Sequence, residues 1–422
     1  MSEWVEKTLG ELADLVMGQS PESSSVSELP EGLPFLQGCA EFGQRNPEPK
    51  FHVNPPLRIA PKGSTLISVR APVGTMNDAD QRYGIGRGLA AVIGKERSNQ
   101  FLRYAIQLNS SWLHRRSQGS TFLAVGSDDL RKLPVKVAND PEICEAAATV
   151  VTLLDTQIEA TEALLAKQER VRAGLMQDLF TRGVDEHGQL RPARDQAPHL
   201  YHQTELGWLP LGWEVEKLDD LVRVIDCKHF TPNYVDEGYP ILRPRNVKSD
   251  GLDFVNVDYV TETDFRAMTD VYRPRRGDII FSRNASFGVS SRVETDVEFA
   301  IGQDVIVMAS KRCDLGFIFH ALRSDSIFEQ IAKVSSGSTF GRINLAEIRK
   351  LKVAVAKPME QNSIADRLDK AAQCRADLIE EIELFRRLRS GLMEDLLTGK
   401  VPVTPLLENR KGEGEVLEEA EA

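Results

Sequence analysis

Long apolar runs are missing from this chain. None of its 422 residues belongs to a stretch approaching the ~20 consecutive apolar positions that a membrane span needs. The opening "MSEWVEKTLG" has no apolar core of the signal-peptide kind, and a cytoplasmic protein is expected. Cysteine is sparse: Cys39, Cys144, Cys227, Cys313 and Cys374 stand far apart with no C-x-x-C pair, which indicates neither a disulfide framework nor a thiolate zinc site. Of seven histidines only His199 and His202 lie close together, in a polar stretch without a thiol, so no metal is expected.

Catalytic signatures are missing too. There is no G-x-x-x-x-G-K-[ST], no G-x-S-x-G and no acidic cluster of nuclease type. "NPPL" (Asn54 to Leu57) has a leucine where a base-flipping methyltransferase would need an aromatic to stack, and no glycine-rich loop for a methyl donor accompanies it. A proline-bounded turn is the simpler reading. "GIGRG" (Gly84 to Gly88) lacks the G-x-G-x-x-G spacing and reads as a turn. The chain is expected to be non-catalytic, with no cofactor of its own.

With 41% hydrophobic and 27% charged residues, the composition is that of a soluble globular protein. At roughly 150 residues per domain its length suggests two to four domains. The net charge of −11 argues against a phosphate-rich partner until its distribution is considered. The tail "ENRKGEGEVLEEAEA" sets six glutamates against Arg410 and Lys411, has no apolar pattern and is expected to be disordered. Basic residues gather elsewhere, in "DVYRPRRGDIIFSRNASFGVSSR" (Asp270 to Arg292) and "ILRPRNVK" (Ile241 to Lys248).

What the chain does have is a repeat. "RAGLMQDLFTRGV" (Arg172 to Val184) returns as "RSGLMEDLLTGKV" (Arg389 to Val401), identical at eight of thirteen positions. Upstream, "QGSTFLAVGSDDLRKLPV" (Gln118 to Val135) aligns with "SGSTFGRINLAEIRKLKV" (Ser336 to Val353), and "KGSTLISVRAPVG" (Lys62 to Gly74) with "RGDIIFSRNASFG" (Arg276 to Gly288). "WVEKTLGELADLV" (Trp4 to Val16) returns loosely as "WEVEKLDDLV" (Trp213 to Val222). Each copy opens with short β-type runs and closes with a long helix. Ile143, Ala147, Val150, Leu154, Ile158, Thr161 and Leu165 step by three or four along the first helix. Ile364, Leu368, Ala371, Arg375, Leu378, Ile382, Phe385, Leu388, Leu392 and Leu396 do so along the second, with Arg375 interrupting the stripe. Helices of this size reach ~55 to 60 Å at ~1.5 Å per residue, and each apolar stripe is expected to cover the other in a coiled coil. The polar segment Asp185 to Gly207 is long enough to make the pair antiparallel.

Together these residues resemble the specificity (S) subunits of type I restriction-modification enzymes. The resemblance rests on the doubled Gly-Leu-Met-x-Asp-Leu-x-Thr and the doubled Gly-Ser-Thr-Phe followed by Arg-Lys-Leu. It rests also on "PMEQNSIADRLD" (Pro358 to Asp369) at a helix entry and on "TELGWLPLGWEVEKL" (Thr204 to Leu218) before the second copy. The first helix lacks the Glu-Gln of that entry, and Leu154-Asp155 sits three residues out of step with Leu368-Asp369, which leaves the helix register open. The resemblance implies an α+β chain: two tandem α/β target recognition domains separated by two long helices in an antiparallel coiled coil, with a pseudo-two-fold internal repeat. The corresponding segments are a first recognition domain at 1–140, a first spacer helix at 141–183, a linker at 184–207, a second recognition domain at 208–357, a second spacer helix at 358–400 and a tail at 401–422. Each domain would read one half of a bipartite, asymmetric site in double-stranded DNA. Two modification (methyltransferase) subunits would dock on the helices and restriction (translocase/endonuclease) subunits would join them. S-adenosylmethionine, ATP and Mg are expected on those partners. The competing reading is a coiled-coil scaffold that binds proteins and no DNA.

On this reading the loops where the two copies coincide are the candidates for DNA contact. Arg70, Arg283, Asn284 and Ser286 follow strand-like runs, where a guanidinium or amide reaches a base edge; loss of Arg283 should then affect only the second half-site. Further candidates are Arg45, Arg82 and Arg87 in the first copy and Lys228, His229, Arg243, Arg245 and Asn246 in the second. Ser120, Thr121, Ser338, Thr339 and Arg342 suit phosphate or positioning contacts. Leu175, Met176, Leu179, Leu392, Met393 and Leu396 are expected to offer the docking surface for the modification subunits.

Overall fold

The structure, a computed structural model, describes residues 4–116, 124–229, 231–283, 288–335 and 343–403. It divides into two compact units, one formed by residues 1–162 with 380–422 and the other by residues 163–379. The division cuts both long helices, Pro141–Thr181 and Pro358–Leu397, so each unit holds a piece of each helix. The acidic tail expected to be disordered lies outside the described residues from 404 onward.

The first unit carries a four-stranded antiparallel sheet in the order Ala13–Met17, Leu89–Gly94, Thr65–Ser68, Met76–Asp78. Its central strands read as nearly continuous apolar runs because both faces are covered: Ala90, Val92 and Ile67 face one core, Leu66, Leu89 and Ala91 another. A second, five-stranded sheet contains the parallel pair Leu33–Leu36 and Tyr83–Ile85, with Leu36 opposite Ile85. The second unit repeats this plan. Val222–Asp226, Val305–Ser310, Ile279–Ser282 and Ser290–Arg292 follow the same order, and Tyr239–Leu242 pairs in parallel with Ala300–Ile301. Even the helix caps correspond. Ser98 accepts from the Phe101 amide at 3.1 Å to start Asn99–Leu108, and Asp314 accepts from the Phe317 amide at 2.8 Å to start Leu315–Ala321.

The doubled helix ending closes the two cores reciprocally. Leu179 and Val184, from the end of the first long helix, are buried with Trp213, Phe317 and Ile318 of the second copy, and Phe180 lies 5.4 Å from Phe317. Met393, Leu396 and Leu397, from the end of the second, are buried with Leu9, Leu133 and Val135 of the first copy. Each helix stops at a glycine in the left-handed region, Gly183 at φ +60° and Gly399 at φ +73°. A Cβ on Gly183 would meet Trp213 Cζ2 at 2.7 Å, and one on Gly399 would come within collision distance of Trp4. The two tryptophans hold corresponding places in the repeat, so the same lock is used twice. This corrects the expectation for the docking residues. Leu179, Met393 and Leu396 are buried in the cores of their own units and offer no surface to a partner, whereas Leu175, Met176 and Leu392 pack against those cores and stay half-buried.

Between the helix pieces the polar contacts run in opposite chain directions. In the first unit Arg389 pairs with Asp155 and Arg386 Nη2 lies 2.8 Å from Glu162 Oε1. In the second, Arg375 Nε lies 3.2 Å from Glu169 Oε1. The arginine that interrupts the apolar stripe therefore faces a carboxylate. Along the stripes Ile143, Ala147, Ile158 and Thr161 are buried, as are Ile364, Leu368, Leu378 and Ile382, whereas Leu388 is 47% exposed. The Glu-Gln at the second helix entry also has a physical role. Glu360 accepts from the Val184 amide at 2.8 Å and pairs with Arg191 at 2.5 Å, and Gln361 Oε1 accepts from the Asp314 amide at 3.1 Å.

Candidate nucleic-acid interface

In each unit the ends of the sheet strands deliver several loops to one place. In the first, the Val69 amide donates to Gly88 O and the Val125 amide to Val69 O, both at 2.9 Å, while the Gly86 amide donates to Leu36 O at 2.8 Å. This gathers the loops at Gln37, Arg70, Arg87 and Ala124. The second unit repeats the bonds: Arg283 amide to Asp304 O at 2.7 Å, Ile343 amide to Arg283 O at 3.0 Å, and Gly302 amide to Leu242 O at 2.8 Å.

The expected contact residues divide on this geometry. Arg70 and Arg87 are exposed, come from neighbouring loops of the cluster and have no carboxylate partner among the described residues. Arg45 and Arg82 are exposed but are not brought to the cluster. Arg82 precedes Tyr83–Ile85, at the opposite end of that strand from Arg87. The Arg45 carbonyl binds the Asp78 amide and its Nε lies 3.7 Å from that carboxylate, near the start of Thr65–Ser68 rather than its end. Ser120, Thr121, Asn284, Ser286, Ser338, Thr339 and Arg342 lie outside the described residues.

In the second unit Arg283 is buried at 5% exposure, and its Nη1 contacts both oxygens of Asp226 at 3.0 and 3.1 Å. Its expected role at a base edge is thereby corrected, because the guanidinium is enclosed and already satisfied by a carboxylate. The strand registers explain its presence. Ile67 and Met17 pair with Ala90 in the first sheet just as Phe281 and Asp226 pair with Ile306 in the second. Arg283 thus stands where the first unit buries Val69, and Asp226 where it has Met17. Asn246 is corrected likewise: fully buried, it accepts from the Arg243 amide at 3.0 Å and donates to Asn256 O at 2.9 Å, which uses its amide to staple a loop. Arg243 and Arg245 converge on Asp258 at 3.3 and 2.7 Å, and Arg243 lies 4.9 Å from the ring of the exposed Tyr234. Lys228 pairs with Asp270, and His229, exposed, lies 3.5 Å from Asp226.

The arginine-rich stretch carries less free charge than its composition suggests. Arg273 pairs with Glu298, Arg276 lies 3.7 Å from Asp296, and Arg292 lies 2.7 Å from Asp369. These acids come from outside the run itself. Asp226, Cys227 and His229 have donor atoms within 4.8 Å of one another, a grouping that could hold a cation. Its chemistry does not favour one. Asp226 is committed to Arg283, whose Nη1 lies 3.0 Å from it, and burial, with the Asp226 charge beside it, pushes the Cys227 thiol up to about 11.

Comparison with known proteins bears on what this doubled loop cluster serves. The family model described as type I restriction modification DNA specificity domain matches residues 1–170 and 210–384, most of the chain in two passes. The chain belongs to this family. Among curated specificity-family relatives, the putative type I restriction enzyme MjaX specificity subunit of Methanocaldococcus jannaschii is 37% identical over 170 residues, which is 40% of each chain. The type I restriction enzyme MjaVIII specificity subunit of the same organism is 22% identical over 316 residues, spanning 72% of this chain and 71% of that one. The fold is shared with the crystal structure of a type I restriction-modification system S subunit from M. genitalium, at a TM-score of 0.63 and 16% identity over 94% of this chain and 96% of that one. Among the described residues of this specificity-family chain, no helix is long and apolar enough to cross a membrane.

Proposed function

We propose that this chain is the DNA sequence-specificity subunit of a type I restriction-modification complex. Each recognition domain reads one half of a bipartite, asymmetric target through its loop cluster. The observation that carries the reading is the doubled cluster itself: two copies of one strand-end arrangement, on one duplicated frame, bearing different side chains. A single continuous site would need no second copy. The recognition domains correspond to residues 1–140 and 208–357, and the two long helices form an antiparallel coiled coil that fixes the spacer between the half-sites. The opposed ion pairs Asp155–Arg389 and Glu169–Arg375 support that pairing. In the first domain Arg70 and Arg87 supply direct contacts; in the second, Arg243 and Arg245 do so from the Asp258 brace.

Methylation and cleavage belong to partner subunits, which bring S-adenosylmethionine, ATP and Mg. A solved structure covering 94% of this chain at a TM-score of 0.55 carries a description of complex assembly and conformational transition in the type I system, and it supports an assembly of that kind here. Modification subunits dock on the outward faces of the helices rather than on Leu179, Met393 and Leu396, which the cores enclose. A gel shift of random duplex at low salt, with modification subunits present, separates this from a protein scaffold. The complex retards the duplex, with affinity falling steeply as salt rises; absence of any shift contradicts the proposal.

A further inference from the structure

The strand registers align the two domains where the sequence repeat fades. Leu36 pairs with Ile85 and Leu242 with Ile301, each in parallel. After them come Gln37 in the first domain and Arg243 in the second, and the turns Gly86-Arg87-Gly88 and Gly302-Gln303-Asp304. Both turns are tied back by the same bonds, the glycine amide to the leucine carbonyl at 2.8 Å and the next strand's amide to the glycine carbonyl, Leu89 to Gly86 at 3.0 Å and Val305 to Gly302 at 3.3 Å. Gln37 therefore corresponds to Arg243, and Arg87 to Gln303. The offsets differ, which is why sequence alignment alone does not pair them.

In both domains the first side chain lies across the glycine of the turn. A Cβ on Gly86 would stand 2.5 Å from Gln37 Oε1, and one on Gly302 would stand 3.3 Å from Arg243 Cγ. Each chain is also braced. Gln37 Nε2 donates to Ser20 Oγ at 2.8 Å, and the Arg87 amide points at the same oxygen at 3.4 Å. Arg243 is held at Nε by Asp258 and donates from Nη2 to the Tyr234 hydroxyl, which leaves the Nη1 donors and one Nη2 donor for a base edge. Gln37, Arg87 and Gln303 are exposed, and Arg243 is half-buried. Each domain thus presents one arginine and one glutamine side by side, with their places exchanged. Core packing does not ask for either residue at an exposed strand end, whereas arginine pairs bidentately with guanine and glutamine with adenine in the major groove.

We propose that Gln37 with Arg87, and Arg243 with Gln303, are the base-reading pairs of the two domains, each reading one adenine-containing and one guanine-containing base pair in exchanged positions. The proposal rests on the DNA-reading function above. The test expresses the full chain with its modification subunits and maps methylation over a library randomised in both half-sites. Gln37→Arg and Arg87→Gln each switch base preference at one position of the first half-site, about tenfold or more, the scale of one bidentate contact, while the second half-site stays as in wild type. Gln303→Arg does the converse. The unaltered half-site reports in the same molecule that the chain is folded and assembled. Unchanged preference in all three variants, or equal change in both halves, overturns the assignment. A wild-type complex that methylates no split site overturns the underlying function instead, and the assignment with it.

Discussion

Arg283 carries the sharpest difference between the two domains at the level of single residues. An ion pair at 3.0 Å, with Arg283 nearly enclosed and Asp226 about one-fifth exposed, replaces a valine and a methionine of the first domain. Removing one partner strands a charge, which costs about 3 kcal/mol, whereas replacing both with apolar residues does not. Arg283→Ala is expected to lower the melting midpoint by roughly 5–10 °C, and Arg283→Val with Asp226→Met to restore most of it; an unchanged midpoint in Arg283→Ala contradicts this. A second exchange governs pH. Tyr104 donates to Asp155 at 2.7 Å, and burial holds its hydroxyl up at about 12. In the corresponding place His320, buried at 1% exposure, lies 2.7 Å from Asp369. Burial lowers the imidazole below 6.5, and the hydrogen bond to Asp369 offsets this only in part. Burial would raise Asp369, but hydrogen bonds from His320 and Arg292 bring it down to about 2. The unfolded chain then takes up the histidine proton first, so stability is full above pH 6.5 and is lost as pH falls through the lower folded value. The contribution of Asp369 is full above about pH 4 and is lost only as pH falls from there toward 2. Melting of wild type should therefore fall between pH 7 and 5, and His320→Tyr should flatten that slope.

Among elements, the long helices and the duplicated order of short strands were legible because period and repeat are written locally. Which core each helix end closes was not. Identity between the two Gly-Leu-Met runs shows that they do the same thing, but only the contacts of Leu179 and Met393 show that each does it for the opposite copy. The three-residue slip of Leu154-Asp155 against Leu368-Asp369 likewise resolves in space, since each aspartate meets the corresponding helix of its own unit, Asp155 at Tyr104 of Asn99–Leu108 and Asp369 at His320 of Leu315–Ala321. The base-reading expectation for Arg283 and Asn246 failed for a related reason: residue type suggests a contact, and burial comes from neighbours distant in sequence. The glycines of the motif separate by environment. Gly174 and Gly391 have open space where a Cβ would stand, whereas Gly183 and Gly399 have positive φ beneath tryptophans. Gly174→Ala and Gly391→Ala should each stabilise the isolated chain by ~0.5–1 kcal/mol. Gly183→Ala and Gly399→Ala should each cost at least about 1–2 kcal/mol, as denaturant melts will register.

At the scale of the whole molecule, the proposed function requires two recognition domains held at a distance set by helix length. Seven residues added to each long helix, at 162/163 and 379/380, preserve the apolar stripe. They lengthen the helices by about 10 Å at ~1.5 Å per residue, on the order of three base pairs at ~3.4 Å each. The direct measurement is methylation, by the complex with its modification subunits, of a target library varied in the distance between half-sites. The wild-type chain is expected to select two short sequences at one fixed separation, and the lengthened chain the same two sequences farther apart. An unchanged separation, or an uninterrupted target, would contradict it.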